Sequence, residues 1–327
     1  MSHAMPSASM ATLKARARLL AQLRQFMVQQ NVLEVEVPLL GFSTITDPFI
    51  DTISVPSESV TGRKDNPAEA MFLQTSPEYY LKRLLCAEGD NAEPIYALSK
   101  CFRQGETSSR HNPEFTMLEW YMPDWDEHQL MQQLEALIMS VLGDIPVEKV
   151  AYGELLQQIL NIDPHQASAA DVEQAVKARC DIAIDDLDKD GWLDLAMTHI
   201  VEPALPKGLV FIHDYPASQC ALAELDNNAQ GQMIARRFEA YVNGMELANG
   251  YYELTDPTEQ RQRFEADNTK RKGLGLCQKP IDEKLLTAMT RGLPRCSGVA
   301  MGVDRLFMQT MAFEQLSSGI SFSVSHS

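Results

Sequence analysis

Residues 102–106 read FRQGE and residues 111–121 read HNPEFTMLEWY, with a short polar loop between them. Residues 95–103 and 114–121 are predicted to form two strands on either side of this loop, so Arg103 stands where the first strand enters the loop. A guanidinium group stays charged and can hold phosphate oxygens in a bidentate manner. This strand–loop–strand unit therefore predicts a phosphate-binding site at Arg103.

A second stretch, residues 298–305, reads GVAMGVDR and predicts a strand of small residues that enters a helix at Arg305. Arg305 is either a second phosphate ligand or a surface residue paired with a neighbour. The chain has no GxxxxGK[ST] loop, and residues 273–275 (GLG) lack the third glycine of a dinucleotide fingerprint. An ATP site would therefore be built on a sheet.

The order of the predicted elements indicates the fold class. Helices are predicted over residues 12–30 and from Ser76 and Pro77 to Gly89, and strands over residues 32–38 and 237–247. Strands outnumber βαβ alternations, and long helices separate groups of strands. The pattern is typical of an α+β domain with a mostly antiparallel sheet flanked by helices.

Composition limits the function classes. Asp and Glu outnumber Lys and Arg by 45 to 28, which gives a formal net charge of −17. Nucleic-acid binders usually carry a basic surface, so extensive tRNA binding is disfavoured. Scattered cysteines without zinc-type spacing, and no apolar run of the ~20 residues that a membrane span needs, indicate a cytoplasmic protein.

A carboxylate occurs in the apolar face of the strand over residues 114–121. Strand alternation places Glu119 on the same face as Phe115, Met117 and Tyr121. Glu119 either meets solvent at a sheet edge or recognises a cationic, lysine-like ligand, because a buried carboxylate needs a cation. Glu78, in a first helical turn, could be a partner of the helix dipole or part of the same pocket.

Residues 246–253 read ELANGYYE and contain Asn249-Gly250, a pair that favours two-residue turns. A hairpin closed there would place Glu246 and Glu253 directly opposite each other. Two such carboxylates suit Mg²⁺ bound to ATP phosphates. The alternatives are a surface hairpin with two solvated acids, or a chain that leaves the strand at Asn249 with the carboxylates still converging.

Over residues 13–324 these motifs together resemble the catalytic domain of class II lysyl-tRNA synthetases, and most closely their short paralogues, which attach (R)-β-lysine to elongation factor P. The resemblance implies a class II synthetase-like catalytic domain over residues 12–327, after a flexible N-terminal tail of residues 1–11. It leaves no room for an anticodon-binding domain. Residues 33–38 (LEVEVP) resemble motif 1, which implies a homodimer.

The resemblance also implies roles for individual residues. Arg103 would hold the α-phosphate and Arg305 the γ-phosphate of ATP, as the catalytic pair. The remaining ATP contacts would be Gly105, Glu106, Asn112, Glu246, Leu247 and Gly302. The amino-acid contacts would be Ser76, Pro77, Glu78, Glu119, Tyr121, Glu253 and Ala300. Glu246 and Glu253 would also bind Mg²⁺.

The chain departs from the family pattern at several positions. Motif 2 usually continues Arg-Asn-Glu, whereas here Gln104-Gly105-Glu106 follows Arg103, so Gly105 replaces the glutamate that contacts adenine. Either Glu106 reaches the base or the contact is lost. Compared with lysyl-tRNA synthetases, Ser76 stands where alanine is usual and Ala300 where glycine is usual.

The expected activity is ATP-dependent activation of (R)-β-lysine, or lysine, and its transfer to a lysine ε-amino group of elongation factor P, without tRNA and without a membrane. One alternative is a minimal lysyl-tRNA synthetase-like enzyme. Another is a free-standing ligase with a different amine acceptor, although an aspartate-activating enzyme would need a cation where this chain has Glu119 and Glu78. A non-catalytic paralogue would be expected to lack Arg103 and Arg305.

Overall fold

The computed structural model describes residues 5–62, 70–184 and 187–326. The chain divides into two compact units. The first unit comprises Met1–Asp124, Thr255–Cys296 and Ala300–Ser327, and the second comprises Trp125–Leu254 and Ser297–Val299. That residues 12–327 act as one catalytic domain stays a prediction. Residues 1–4 of the predicted tail lie outside the described residues, whereas the Ser7 amide donates to the Ser321 carbonyl at 2.8 Å.

The helices are α1 (Met10–Gln29), α2 (Ser57–Thr61), α3 (Glu78–Glu88), α4 (Glu127–Leu142), α5 (Tyr152–Leu160), α6 (Ala169–Lys177), α7 (Lys189–Ala196), α8 (Glu202–Ala204), α9 (Pro257–Gly273), α10 (Glu283–Met289) and α11 (Val303–Met311). Among the described residues, no helix is both long enough and apolar enough to span a membrane.

The strands are β1 (Leu33–Glu34), β2 (Leu40–Gly41), β3 (Ser54–Pro56), β4 (Ala70–Leu73), β5 (Ile95–Phe102), β6 (Glu114–Pro123), β7 (Val147–Ala151), β8 (Leu209–Pro216), β9 (Leu225–Asn227), β10 (Met233–Val242), β11 (Met245–Tyr252) and β12 (Cys296–Gly302). The boundary between the units runs through β12. Most neighbouring strands are antiparallel, and helices separate groups of strands along the chain. The predicted α+β class is therefore confirmed.

The first unit is organised around the antiparallel pair β5 and β6. Ile95 pairs with Tyr121 at one end and Phe102 with Glu114 at the other, and β1 runs parallel to β5. A smaller sheet has the strand order β2-β4-β3. The predicted strand over residues 32–38 is reduced to the two residues of β1, while the predicted first helix is present as α1, which is capped by the Ser9 side chain.

The second unit carries its own core. β8, β10 and β11 are antiparallel neighbours, β7 runs parallel to β8, and β9 pairs with the start of β10. Residues of α5, α6 and α7 pack with β8 in one buried cluster that contains Trp192 and Tyr152. Helix α4 begins with a capping box, in which Asp126 accepts from the Gln129 amide and the Gln129 side chain accepts from the Asp126 amide.

The hairpin in this unit lies elsewhere than predicted. β10 and β11 are joined by Asn243 and Gly244, whose φ angles of 53° and 77° suit a two-residue hairpin turn. The predicted single strand over residues 237–247 is therefore wrong, because the chain reverses inside it. The turn predicted at Asn249-Gly250 is also wrong, because both residues lie inside β11.

Gly250 has a packing role in β11. A Cβ atom at this position would overlap the ring of Phe238 and lie 3.0 Å from the carbonyl oxygen of Gly298. Neither the ring nor the neighbouring backbone can move away cheaply inside a packed sheet. The second Asn-Gly pair of the chain therefore serves a close approach between strands.

We predict that Gly250→Ala lowers the free energy of unfolding by about 1–3 kcal/mol, because over-packing forces strand and ring apart. Urea denaturation measures the change. Gly273→Ala is the matched control, because Gly273 ends α9. Beyond its chain neighbours and the helix's own backbone, no atom of the described residues lies within 4 Å of an added Cβ, so stability should stay equal or rise slightly. Equal stability of Gly250→Ala and the wild type would contradict this packing role.

Candidate active site

Arg103 lies directly after β5, where the strand enters the loop that leads to β6. Its amide donates to the Pro113 carbonyl at 2.9 Å, which closes the loop at its base. The guanidinium group lies over the Phe115 ring, 5.2 Å from the centroid, and 3.6 Å from Glu106 Oε1. Among the described residues, the buried Nε of Arg103 has no hydrogen-bond partner, while the side chain as a whole is 27% exposed and can therefore meet an anionic ligand.

His111 links the two arginine-bearing segments. Its Nε2 lies 2.5 Å from Nη2 of Arg305, and its Nδ1 lies 2.8 Å from Oγ of Ser108. Because a guanidinium can only donate, Nε2 must accept, and Nδ1 then carries the proton. Burial and the Arg305 charge lower the pKa of His111. A neutral histidine therefore holds Arg305 against the loop that follows Arg103.

Asp304 fixes the helix that carries Arg305. Its Oδ2 accepts the Thr116 amide of β6 at 2.6 Å, and its Oδ1 pairs with Nη2 of Arg16 at 2.6 Å. The same Arg16 nitrogen donates to the Thr116 hydroxyl at 2.9 Å. Three elements, α1, β6 and α11, thus meet at one buried carboxylate. The start of α11, where Arg305 lies, is therefore held in a fixed position relative to β6.

Other predicted ATP contacts have their own local roles. Asn112 donates to the Glu114 carbonyl at 2.7 Å and accepts from the Val324 amide at 3.0 Å, so its side chain braces the loop. Gly105 has a φ of 79°, which explains why a glycine stands at this turn. Gly302 is the N-cap residue of α11. Their contacts with ATP remain predictions.

Glu119 is buried, with 2% of its surface exposed, which rules out the sheet-edge alternative. The Ser76 hydroxyl donates to Oε2 at 2.6 Å, and the Tyr121 hydroxyl donates to Oε1 at 2.8 Å. Two hydroxyls thus orient the carboxylate inside the protein. A buried carboxylate is a group with which a cationic ligand can pair.

Glu78 begins α3, and Ser76 ties it to Glu119. The Ser76 hydroxyl accepts the Glu78 amide at 3.0 Å while it donates to Glu119. Pro77 lies between Ser76 and Glu78 in the sequence and is the N-cap residue of α3. Lys82 donates to Oε1 of Glu78 at 2.7 Å, one helical turn further along. Ser76, Glu78, Glu119 and Tyr121 are thus brought together in the first unit.

Glu246 and Leu247 lie in β11 of the second unit, just after the hairpin turn. Tyr241 pairs with Glu246 and Ala240 with Ala248, so Leu247 is the extra residue of a β-bulge. Residues that pair across two strands share a face of the sheet. Glu239 and Tyr241 lie on one face of β10, and they pair with Asn249 and Glu246, so the bulge places Glu246 on the same face as Asn249. The bulge thus decides where the Glu246 carboxylate faces.

The carboxylates of Glu246 and Glu253 do not lie opposite each other across a hairpin. Both follow the same strand direction, seven residues apart, and Glu253 forms an isolated bridge with Ala223. Extended backbone of that length spans roughly 20 Å. The hairpin argument for a shared Mg²⁺ site is therefore wrong, and magnesium binding by either residue is a prediction that rests on the resemblance alone.

The donor chemistry still fits magnesium at Glu246. Its side chain is half-buried and a carboxylate is a hard oxygen ligand, as Mg²⁺ prefers. Among residues 5–62, 70–184 and 187–326, no group of three or more His, Cys, Asp or Glu residues could hold a metal ion. Mg²⁺ that arrives with ATP needs only one or two protein carboxylates, because phosphate and water oxygens complete its shell.

Sequence reasoning missed three residues that shape the site. His111 stands inside the quoted stretch beside Asn112, and its position after the polar loop was the available signal. Asp304 stands beside Arg305, but its partners Arg16 and Thr116 are far away in the sequence. Lys82 follows Glu78 at the i,i+4 spacing of helical ion pairs, which a search for such pairs would have found.

The chain was compared with known proteins. It matches the family of class II tRNA synthetases (D, K and N) over residues 3–325. The elongation factor P–(R)-β-lysine ligase of Pectobacterium atrosepticum is 43% identical over 322 residues, which covers 98% of this chain and 97% of that protein. The ligase of the same name from Salmonella gallinarum is 44% identical over 324 residues, with 98% and 97% covered.

The strand–loop–strand unit with Arg103 and the helix with Arg305 both lie within the matched residues. An identity of 43–44% over nearly the full length of two relatives leaves no doubt about common ancestry. The chain belongs to the family of class II tRNA synthetases (D, K and N).

Proposed function

We propose that this protein is an AMP-forming ligase that activates (R)-β-lysine with ATP and transfers it to the ε-amino group of a lysine on elongation factor P. The names of relatives that match nearly end to end support the proposal. The observation that carries it is the buried Glu119 carboxylate, oriented by Ser76 and Tyr121 and complementary to an ammonium group.

The ATP-binding part of the proposal rests on Arg103 and Arg305. Arg103 follows β5 with a side chain that is 27% exposed, and Arg305 is held toward the same loop by neutral His111. Two fixed guanidinium groups offer preorganised positive charge for a triphosphate, which suits a reaction that develops negative charge on phosphate oxygens. Gly105, Glu106, Asn112, Leu247 and Gly302 are proposed as further nucleotide contacts.

The amino-acid part rests on Glu119 and Glu78. A diamino acid carries two ammonium groups, and the chain offers two carboxylates for them: the Ser76 hydroxyl bonds to the carboxylate of Glu119 and to the backbone amide of Glu78. Tyr121, Pro77, Glu253 and Ala300 are proposed as further contacts with the amino acid. Glu246 and Glu253 are each proposed as a Mg²⁺ ligand at separate positions along the chain, and Mg²⁺ would neutralise phosphate charge when bound.

The proposed reaction has two steps. A carboxylate oxygen of the amino acid attacks the α-phosphorus of ATP, a P–O bond forms, and pyrophosphate leaves with the electrons of the broken P–O bond. The neutral acceptor amine then attacks the acyl carbon and an amide bond forms. The acyl C–O bond breaks, AMP leaves with its electrons, and the nitrogen releases a proton to solvent. Positioning and electrostatics are sufficient, so no covalent intermediate with a side chain is needed.

Further properties belong to the same proposal. The protein would act in the cytoplasm as a homodimer through the segment that resembles motif 1, residues 33–38. The net charge of −17 supports a protein acceptor over tRNA. A minimal lysyl-tRNA synthetase-like enzyme is the second candidate, supported by the family to which the chain belongs.

We predict that Arg103→Ala and Arg305→Ala each lower ATP–pyrophosphate exchange at least about a hundredfold, because each removes a charge-assisted contact used in the transition state. Lys177→Met, on the exposed surface of α6, is the control and should leave exchange unchanged. Circular dichroism verifies folding. Near-normal exchange by either folded arginine variant would disprove the role of that arginine.

A second prediction concerns the acceptor. With ATP and radiolabelled (R)-β-lysine, the enzyme should label elongation factor P and leave bulk tRNA unlabelled, because this acidic chain offers little attraction to a nucleic acid. Gel electrophoresis with and without ribonuclease distinguishes the two products. Charging of tRNA with an unlabelled protein would favour the minimal synthetase instead.

A third prediction concerns Ala300, which lies in β12 where lysyl-tRNA synthetases usually have glycine. Its methyl group should take space beside the amino and carboxylate groups of the substrate. Ala300→Gly should therefore improve kcat/KM for α-lysine relative to (R)-β-lysine by roughly ten- to two-hundredfold at most, the value of about one methyl group in a pocket. An unchanged ratio would place the selectivity elsewhere, with Ser76 as the next residue to test.

A further inference from the structure

The side chain of Lys82 is almost completely buried, with 2% of its surface exposed. It lies on the inner side of α3, where Leu81, Leu85 and Cys86 are also buried. A buried ammonium group is costly unless a charged partner compensates for it. Glu78 supplies one such charge at 2.7 Å, and the proposed two-step reaction gives Lys82 no task.

Both the backbone amide and the side-chain carboxylate of Glu78 have a hydrogen-bond partner. Its amide donates to the Ser76 hydroxyl at 3.0 Å, and its Oε1 accepts from Lys82 at 2.7 Å. Among the described residues, Lys82 is the side chain that bonds to the Glu78 carboxylate, and it uses one of the two oxygens. The bond therefore limits rotation of the carboxylate and leaves Oε2 as the oxygen that can meet a ligand.

We infer that Lys82 is a positioning residue that sets substrate specificity by fixing which oxygen of Glu78, and in which direction, receives an ammonium group of the amino acid. The inference rests on the proposed function. α-Lysine and β-lysine differ in the carbon that carries one amino group. A carboxylate that cannot turn accepts that group at one place, whereas a mobile carboxylate can follow it to either carbon.

The charge of Lys82 acts in the same direction as the hydrogen bond. It repels any substrate ammonium that approaches Oε1, so only positions near Oε2 are favourable. Replacing it with methionine keeps most of the buried volume, removes the repulsion and releases the carboxylate. The expected loss is therefore in discrimination between isomers.

The test measures ATP–pyrophosphate exchange of the full chain with (R)-β-lysine and with α-lysine. In Lys82→Met, kcat/KM for (R)-β-lysine should fall about tenfold or more, mainly through kcat, and its ratio to that for α-lysine should fall about tenfold toward one. Lys82→Arg, which keeps the charge, should retain most of the discrimination.

Lys177→Met is the matched control. Lys177 pairs with Glu173 on α6 at the same i,i+4 spacing and the same distance of 2.7 Å, but it is 33% exposed. Its substitution should leave both the rates and the ratio unchanged. If Lys82→Met does not fold, Lys82→Gln takes its place, with an expected fall in the ratio of at least about threefold.

A double-mutant cycle separates positioning from simple packing. Once Glu78→Gln has removed the carboxylate, adding Lys82→Met should change the isomer ratio by less than about twofold. An equally large effect in both backgrounds, or an unchanged ratio in Lys82→Met, would overturn the inference while the proposed function stands. A wild type that activates no lysine isomer would overturn the proposed function itself.

Discussion

A carboxylate buried inside a protein imposes strict demands on its surroundings, and Glu119 imposes them here. Its two oxygens accept hydroxyl protons from Ser76 and Tyr121, and the same Ser76 oxygen accepts the amide that begins α3. The start of the helix, the strand β6 and the pocket wall therefore depend on one another. Hydroxyls orient a buried carboxylate, and an oriented carboxylate can pair with an ammonium group.

A few hydrogen bonds and one ion pair also hold the two arginine-bearing segments in place. Asp304 joins α11 to β6 and α1 through Thr116 and Arg16, while neutral His111 joins Arg305 to the loop after β5. Arg103 also has partners, because its guanidinium group lies over Phe115 and near Glu106. Preorganised charge of this kind accelerates a reaction because no reorganisation is needed in the transition state.

Local patterns predicted the elements that depend on neighbouring residues. The alternation in residues 114–121 placed Glu119 on the face of Tyr121, and the hydrogen bond between them agrees. The prediction of the turn was wrong because the chain has two Asn-Gly pairs with the same local signal. Asn243-Gly244 reverses the chain, whereas Gly250 lies against Phe238, and only tertiary packing distinguishes the two. The roles of Asp304 and of the β-bulge at Leu247 depend on partners remote in sequence or across strands, which no local pattern encodes.

We propose above all that Glu119 and Glu78 select a diamino acid for activation by ATP. ATP–pyrophosphate exchange by the wild-type protein with (R)-β-lysine, α-lysine and aspartate tests it most directly. We predict exchange with both lysine isomers, faster with (R)-β-lysine, and none with aspartate, whose second carboxylate would meet Glu119. Exchange with aspartate but with neither lysine isomer would contradict this claim.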